Sequence, residues 1–554
     1  MIDSRIKGQI LILISCCLLI YLVGAISVPL MEIDAAQYAN ISREMLGNHH
    51  FLQVYDRGQD YLDKPPMLFW LSALSMDLFG IHQFAYRLPS LLFALLAIYS
   101  VYRFCLLFYR EEIALLSALV LAGCQALFLI THDVRTDTML MGWVTLSLWQ
   151  LANWYRQGSW SSLLIASAAI AGGMMTKGPI ALLVPVFAFV PHFVLRREFR
   201  QFFRWEYLIL LIFVAALLLP MDIGLYRQFD LHPEKTEYGQ QHVSGLRFFY
   251  WTQSFGRITG ESTWHESAGF IFLFQNMLWS FLPWILFFVL GLFREFMQLF
   301  QAKGKIGAQA EWISTGGFLL TYAALACSRY QLPHYIFVVF PLAAVVTGKF
   351  LFDLLYDGIW PMARLLLLRI HAVVFPLLFV ALLILLYWSF PDINSFSRIV
   401  AWAALAGLII LLAKPRLPVP RLLLISIYSI LWINFILDVW IYPRLLQYQQ
   451  SIQVARIIQD QQLPKNRFFI YHTEQERSLQ FYSNASFRRL DRIDSLSRGD
   501  FILTGARQWD SLSRKDFRLV YEGEGFHVTT LSLDFLNPAT REREVTCYCI
   551  LERR

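Results

Sequence analysis

A few short groups of charged residues interrupt an otherwise strongly apolar chain. They are Asp34, Asp63-Lys64 ahead of Pro65-Pro66, Asp133-Val134-Arg135-Thr136-Asp137, and Lys177 inside Thr176-Lys177-Gly178-Pro179. Further along come Arg257 and His265, then Arg329, His334 and Tyr335. Charge near a bilayer is costly, so acids and cations gathered at one end of the membrane spans are candidates for function. The chemistry they suit is group transfer from a polyprenyl phosphate. Fixed cations stabilise the charge that develops on a departing lipid phosphate. A carboxylate on the other side orients or deprotonates an attacking hydroxyl or amine. Each residue alone also has a structural reading. Asp34 suits a helix N-cap, Lys64, Lys177 and Arg329 suit anchors for lipid phosphates, and Asp133 and Asp137 suit a solvated turn around Arg135. His265 suits a loop. The set as a whole points to chemistry.

The elements that must position these residues are membrane helices. Of 554 residues, 57% are hydrophobic and 16% charged, against about 45–50% and about 25% in soluble domains. The excess falls in blocks of roughly twenty residues, the length that crosses a hydrocarbon core. The net charge of +7 comes from Lys and Arg in alternate loops, as the positive-inside rule expects, so nucleic acid is not an expected partner. The first span, 10–28, reads as an uncleaved anchor with a cytoplasmic N-terminus, which puts the Asp34 loop outside. That first outer loop, 29–87, carries two short amphipathic or apolar segments, 35–46 and 67–79, suited to lying in the membrane interface.

Further spans are expected at 88–108, 113–131, 139–155, 161–176, 180–195, 207–226, 269–293, 312–328, 335–352, 367–388, 399–412 and 422–441, about thirteen in all. The expected fold is therefore a polytopic α-helical membrane domain over 1–442 and a small soluble α/β domain over 443–554, outside the membrane. In the latter, 451–461 reads as a helix, and 468–471, 501–504, 518–521 and 545–551 as strands. Five of the seven cysteines lie in apolar spans, and Cys547 and Cys549 alternate along a strand, with no metal-ligand spacing among them.

At the charged motifs the sequence resembles the bacterial branch of the protein O-mannosyltransferase-like superfamily, membrane glycosyltransferases of the GT-C class that include the lipid A aminoarabinose transferases. The matching pieces are Asp34-Ala35-Ala36-Gln37-Tyr38-Ala39, Ser42-Arg43-Glu44-Met45-Leu46, Leu62-Asp63-Lys64-Pro65-Pro66 and Arg87-Leu88-Pro89-Ser90. Asp137-Thr138-Met139, Thr176-Lys177-Gly178-Pro179, Phe281-Leu282-Pro283-Trp284 and Leu332-Pro333-His334-Tyr335 follow in family order. The resemblance implies that Asp34 is the catalytic carboxylate and Asp137 the second-loop acid. It implies that Lys64 holds the lipid phosphate beside Asp63, with Arg257 and Tyr335 as further phosphate contacts; Lys177 joins them as a substrate-binding candidate. Where the family commonly has Asp-Glu-Ala, this chain has Asp34-Ala35-Ala36. His265 is the one metal candidate; no cofactor is assigned, and a divalent metal is left open.

The function this implies is transfer of a sugar, with inversion, from a polyprenyl-phosphate donor to a glycolipid such as lipid A, another glycan or a protein. The setting is the periplasmic face of a bacterial inner membrane. The rival from another class is a transporter or flippase of lipid-linked sugars, which would place ionisable groups at mid-membrane; Asp222 and Asp438 are the residues that lean that way. A non-catalytic accessory subunit is the third reading, against which the intact Asp34 and Lys64 weigh.

Overall fold

In a computed structural model of the chain, the residues described are 4–237, 239–261, 269–304, 310–414, 419–473, 477–512 and 515–554. α1 (Ser4–Ser27) leads into the first loop, which holds α2 (Asp34–Asn48), a hairpin of β1 (Tyr55–Asp56) and β2 (Gln59–Asp60), and α3 (Met67–Phe79). A continuous helical bundle follows: α4 (Gln83–Phe108), α5 (Glu111–Ala122), α6 (Gln125–Ile130), α7 (Thr136–Gln157), α8 (Trp160–Lys177), α9 (Ile180–Arg196) and α10 (Glu206–Leu225). We call the end of the bundle that carries the first loop its outer end; the long second loop at that end contains the hairpin β3 (Thr236–Glu237) and β4 (Gln240–Gln241) and the single turns α11 (Gly245–Arg247) and α12 (Gly256–Thr259). The bundle resumes with α13 (Phe272–Ser280), α14 (Ile285–Gln301), α15 (Ile313–Ala326), α16 (Phe340–Leu355), α17 (Pro361–Ile384), α18 (Ser395–Ala413), α19 (Arg421–Ile436) and the short α20 (Tyr442–Leu445).

Among the described residues, seven helical stretches are long and apolar enough to cross a membrane: Arg5–Ser27, Gln83–Phe108, Glu206–Asp230, Pro333–Leu355, Pro361–Ser389, Ser395–Ala413 and Arg421–Tyr448. The expected count of about thirteen spans is not confirmed by length and composition, for local reasons. The apolar run 113–131 is two helices, broken at Gly123-Cys124, and the run 269–293 is α13 and α14 parted around Leu282-Pro283, where proline cannot donate into the ladder. Met67–Phe79, Ile180–Arg196 and Ile313–Ala326 are apolar but shorter.

Close packing of α4 on α7 and of α5 on α16 forms the centre. A side chain at Gly142 would stand 2.7 Å from the Phe93 carbonyl oxygen, and one at Gly348 the same distance from the Ser117 backbone. Small residues at such crossings let helices approach where lipid supplies no hydrophobic drive. Arg87 then ties the bundle to the outer loops. Wholly buried, it donates from Nη1 to the carbonyls of Ala25 (2.9 Å) and Val28 (2.5 Å), from Nη2 to Pro29 (3.0 Å), and from Nε to His132 (2.8 Å). One guanidinium thus satisfies carbonyls at the C-terminal end of α1, which no intrahelical donor reaches, and fixes the turn before α7.

Beyond α20 the chain forms α21 (Gln450–Asp460), α22 (Arg477–Ser483) and a five-stranded sheet of β5 (Phe468–Tyr471), β6 (Arg488–Leu490), β7 (Phe501–Gly505), β8 (Phe517–Gly525) and β9 (Thr546–Arg553). The strand order is β6-β5-β7-β9-β8, with β5 parallel to both neighbours and β9 antiparallel to both of its own. Cys547 is exposed and Cys549 buried, two residues apart on the same face of β9, and both thiols are free. This region is held against the first loop by a buried polar network. Glu32 Oε1 accepts from the Ser478 amide and hydroxyl, both at 2.6 Å, and Gln449 donates to the Leu30 carbonyl (2.9 Å) while accepting from the Glu32 amide (3.0 Å).

Candidate active site

α7 runs antiparallel to α8, so the N-terminus of one meets the C-terminus of the other at the end that carries the outer loops. Asp137 lies in the first turn of α7 and Lys177 is the last residue of α8, each with the sign the helix dipole favours there. They form a direct ion pair, with Asp137 almost wholly buried. Gly178, at φ +91°, makes the reversal into α9 in a conformation that L side chains rarely adopt. Among the described residues the second Asp137 oxygen, Oδ2, has no hydrogen-bond partner, and it faces His334 Nε2 at 3.6 Å.

Three loops close on this pair. Tyr335, in the tight turn Pro333–Val339 that leads into α16, places its ring under Lys177, whose Nζ is 4.1 Å from the centroid. Arg257, on α12, donates to the Tyr335 hydroxyl at 2.7 Å and is itself steadied by Arg329, whose amide donates to the Arg257 carbonyl at 3.0 Å. Lys64 arrives from the first loop, paired with Asp63 at 2.8 Å. Gln253 Nε2 donates to Asp63 through the carbonyl and through Oδ1 (3.2 Å), joining the first and second outer loops. Lys64, Asp137, Lys177, Arg257 and Tyr335 all line one cavity of about 130 Å³, continued by apolar Leu140, Ile180, Leu183, Leu325 and Val338. It is a small cationic chamber with an apolar wall running along α9 and α15, suited to an anionic headgroup whose tail is hydrocarbon.

Burial raises the Asp63 carboxyl, but the Lys64 charge and hydrogen bond, Arg257 and Gln253 outweigh it and hold the group below its ordinary range. Burial likewise opposes the Lys64 charge, yet Asp63 and Tyr335 keep its ammonium above the ordinary value. Both stay ionised near neutrality.

Asp34 sits apart from this lining. It is the first residue of α2, not its N-cap, and the N-cap position, Ile33, makes no side-chain cap bond. Asp34 Oδ2 instead takes Arg135 Nη1 at 2.5 Å, while Arg135 Nε holds Asp133 at 3.0 Å. The Asp34 side chain is 37% exposed, against 2% for Asp137, so an acceptor can reach Asp34 and not Asp137. The turn Asp133–Asp137 is therefore divided: Asp133 pairs locally with Arg135, whereas Asp137 points inward to Lys177. Of the residues read as substrate contacts, Asp63 backs Lys64 and the others face the cavity. His265 lies outside the described residues, and among those described no group of three or more His, Cys, Asp or Glu side chains could hold a metal ion. Gln253 was not legible beforehand, being a lone amide in a loop without a motif; Arg135 was visible, but its partner 101 residues away was not. Asp222 accepts from the Tyr250 hydroxyl at 3.0 and 3.1 Å. Asp438 is buried with His132 at 3.7 Å.

Residues 63–221 match the family described as dolichyl-phosphate-mannose-protein mannosyltransferase. An undecaprenyl phosphate-alpha-4-amino-4-deoxy-L-arabinose arabinosyl transferase from Erwinia tasmaniensis is 30% identical over 272 residues, 48% of this chain and 46% of that protein. One from Pseudomonas fluorescens is 26% identical over 333 residues, 59% of this chain and 56% of its own length. The chain thus spans about half the length of the curated relatives it matches. In structure it is similar to ArnT from Cupriavidus metallidurans bound to undecaprenyl phosphate, with a TM-score of 0.72 and 16% identity over 98% of each chain. The apo form of that protein gives 0.70, at 17% identity over 94% of this chain and 97% of the other. The chain is thus similar to the undecaprenyl phosphate-aminoarabinose arabinosyl transferases over about half its length, and shares the fold of ArnT over nearly all of it.

Proposed function

We propose that the protein is a glycosyltransferase that takes a sugar from a polyprenyl-phosphate donor and passes it to an acceptor on the outer face of the membrane. The observation that carries this reading is the convergence of Lys64, Lys177, Arg257 and the Tyr335 hydroxyl on one chamber with an apolar wall. In the step itself the acceptor oxygen forms a bond to the anomeric carbon as the bond from that carbon to the phosphate oxygen breaks, with inversion. The electron pair leaves with the lipid phosphate, whose added charge the cations stabilise. Asp34, half-buried and oriented by Arg135, takes the proton of a hydroxyl acceptor; an ionised phosphate acceptor has none to give, and there Asp34 positions it. Asp137 serves through Lys177, holding the ammonium at the phosphate.

The relatives matched carry names that specify undecaprenyl phosphate and aminoarabinose, and on that ground a 4-amino-4-deoxy-arabinose donor is the first to test, with lipid A as the acceptor that the family resemblance implies. We place the membrane domain at 1–442 and a separate soluble domain at 443–554, with the latter and the site on the periplasmic side of a bacterial inner membrane. The test uses purified protein in lipid, radiolabelled polyprenyl-phosphate sugars and envelope acceptors. Label appearing on an acceptor supports the reading. Movement of intact lipid-linked sugar across the bilayer without transfer would establish the flippase alternative instead.

A further inference from the structure

On the α10 side of α9 lies an apolar groove of about 310 Å³, with α7 and α8 behind it, and no step above uses it. Every lining side chain is apolar or aromatic. Along α9 the lining runs from Leu182 to Phe193, a length of about 16 Å at 1.5 Å per residue. That is about half of a hydrocarbon core about 30 Å thick, the depth of one leaflet. Val186 and Leu211 line the groove and are exposed, so it opens sideways to the bilayer. It stops at Leu183, which the chamber shares, and its other end lies beside Tyr155, Phe202 and Tyr207, away from the outer loops.

The residues at that far end are the second observation. The connection from Arg196 to Glu206 holds four arginines and two acids. Both acids are engaged. Glu198 accepts from Arg196 Nε at 2.8 Å and from the Tyr155 hydroxyl at 2.5 Å, and Glu206 accepts from Arg204 at 2.5 Å. Arg204 also lies on the ring of Trp154, a lining residue, with Cζ 3.9 Å from the centroid. Arg197 and Arg200 are exposed and form no ion pair among the described residues. Arg156, next to the lining Tyr155, is exposed too and lies over the Phe108 ring. Trp160, Phe199, Phe203 and Trp205 are exposed around them, the mixture of rings and cations that sits at headgroup level. Guanidinium forks match phosphate geometry, and basic pockets between membrane helices take anionic headgroups.

We propose that this groove binds an anionic phospholipid from the leaflet opposite the candidate active site, with one acyl chain along α9 and the phosphate against Arg197 and Arg200. It is a different lipid from the donor. α9 has 17 residues, about 26 Å, and it separates Lys177 at one end from Arg197 at the other, so one lipid cannot set its phosphate on both. The binding does not rest on the transfer reading, which concerns the outer end.

The test titrates the full chain in detergent micelles with phosphatidylglycerol, with phosphatidylcholine of the same acyl chains and with a polyprenyl phosphate, and counts bound lipid by native mass spectrometry. Phosphatidylglycerol should bind about tenfold more tightly than phosphatidylcholine. Arg197→Gly combined with Arg200→Ala should bring the two within about twofold. Both positions are exposed, and glycine suits the left-handed backbone at Arg197, φ +59°, so the variant should fold as well as the wild type. Leu211→Trp, which fills the groove from an exposed position, should weaken both phospholipids severalfold and leave polyprenyl phosphate binding unchanged. Equal binding of the two phospholipids by the wild type, or an undiminished preference in the arginine variant, would overturn the proposal. So would phosphatidylglycerol binding untouched by Leu211→Trp; loss of polyprenyl phosphate in that variant would give the groove to the polyprenyl tail.

Discussion

Asp34 and Arg135, 101 residues apart in the chain, meet at 2.5 Å through Oδ2 and Nη1. Arg135 in turn is anchored by Asp133, and the carbonyl before that acid is held by the buried Arg87. The half-buried acid is thus positioned by the bundle core and not by its own loop. The cations of the chamber are fixed by other contacts: Lys177 by Asp137, Arg257 by Arg329 and Tyr335, and Lys64 by Asp63 in the first loop. The two halves of the site can be tested separately.

On the phosphate side, Lys64→Ala should weaken polyprenyl-phosphate binding about ten- to a hundredfold, the loss expected for a charge-assisted bond of about 1.5–3 kcal/mol. Tyr335→Phe, which removes one neutral hydroxyl, should cost about two- to tenfold. Arg257→Lys should not match the wild type, because an ammonium cannot reproduce the guanidinium fork toward Tyr335 and a phosphate together. Equilibrium binding of a fluorescent lipid phosphate would rank the three.

The Asp137–Lys177 pair is a buried couple, so removing one member should hurt more than removing both. Asp137→Leu should destabilise by about 3–5 kcal/mol, and Asp137→Leu with Lys177→Met should restore much of that loss. Thermal unfolding in detergent reads the first effect. Lipid-phosphate affinity should remain low in the double variant, which separates stability from function.

Asp63 and Lys64 set a pH window. The folded Asp63 carboxyl lies below its ordinary value of 3.8, so its contribution is present above that value and disappears as pH falls through the lower folded one. The folded Lys64 ammonium lies above its ordinary 10.5, so its contribution is present below that value and is lost as pH rises through the higher one. Binding of the donor, a phosphodiester with one charge throughout, should therefore be flat from about pH 5 to 7, and should weaken above that range as Lys177, whose ammonium burial pushes down to about 8, loses its proton. A step inside that window, seen in a binding titration, would contradict the pairing.

Much of this was legible in the sequence because the outer-loop motifs are short and local. Proline after Lys64, glycine after Lys177 and proline before His334 mark reversals, and a charge beside each reversal reads as a residue at a helix end. Four of the five tail strands were legible from β-branched and aromatic alternation, although β8 extends to Gly525 past the expected Tyr521, and the short edge strand β6 was not expected. What was not legible is whatever depends on contact across the bundle. Hydropathy sees 113–131 and 269–293 as continuous, since Gly123 and Pro283 barely lower a window average, yet both break the helix. Nor does the turn Asp133–Asp137 say which acid faces in; only packing on α8 decides that.

The docking of the C-terminal sheet domain makes its own prediction. Glu32 lies two residues before Asp34 and accepts two hydrogen bonds from Ser478 in a buried setting. Glu32→Ala leaves the Ser478 donors unsatisfied, at about 1–3 kcal/mol. Hydrogen exchange should quicken in α22 and the first turn of α2 while the core of α7 stays protected; unchanged exchange in α22 would show that the domain is held elsewhere.

The central claim is that Asp34 acts on the acceptor while the cations hold the donor, and Asp34→Asn tests it most directly. The amide keeps an oxygen for Arg135 but loses the charge. In purified protein with its donor and acceptor, the rate of sugar transfer should fall by at least about a hundredfold, with lipid-phosphate affinity and thermal unfolding unchanged. Transfer within a few-fold of the wild type by a folded Asp34→Asn protein would contradict the account.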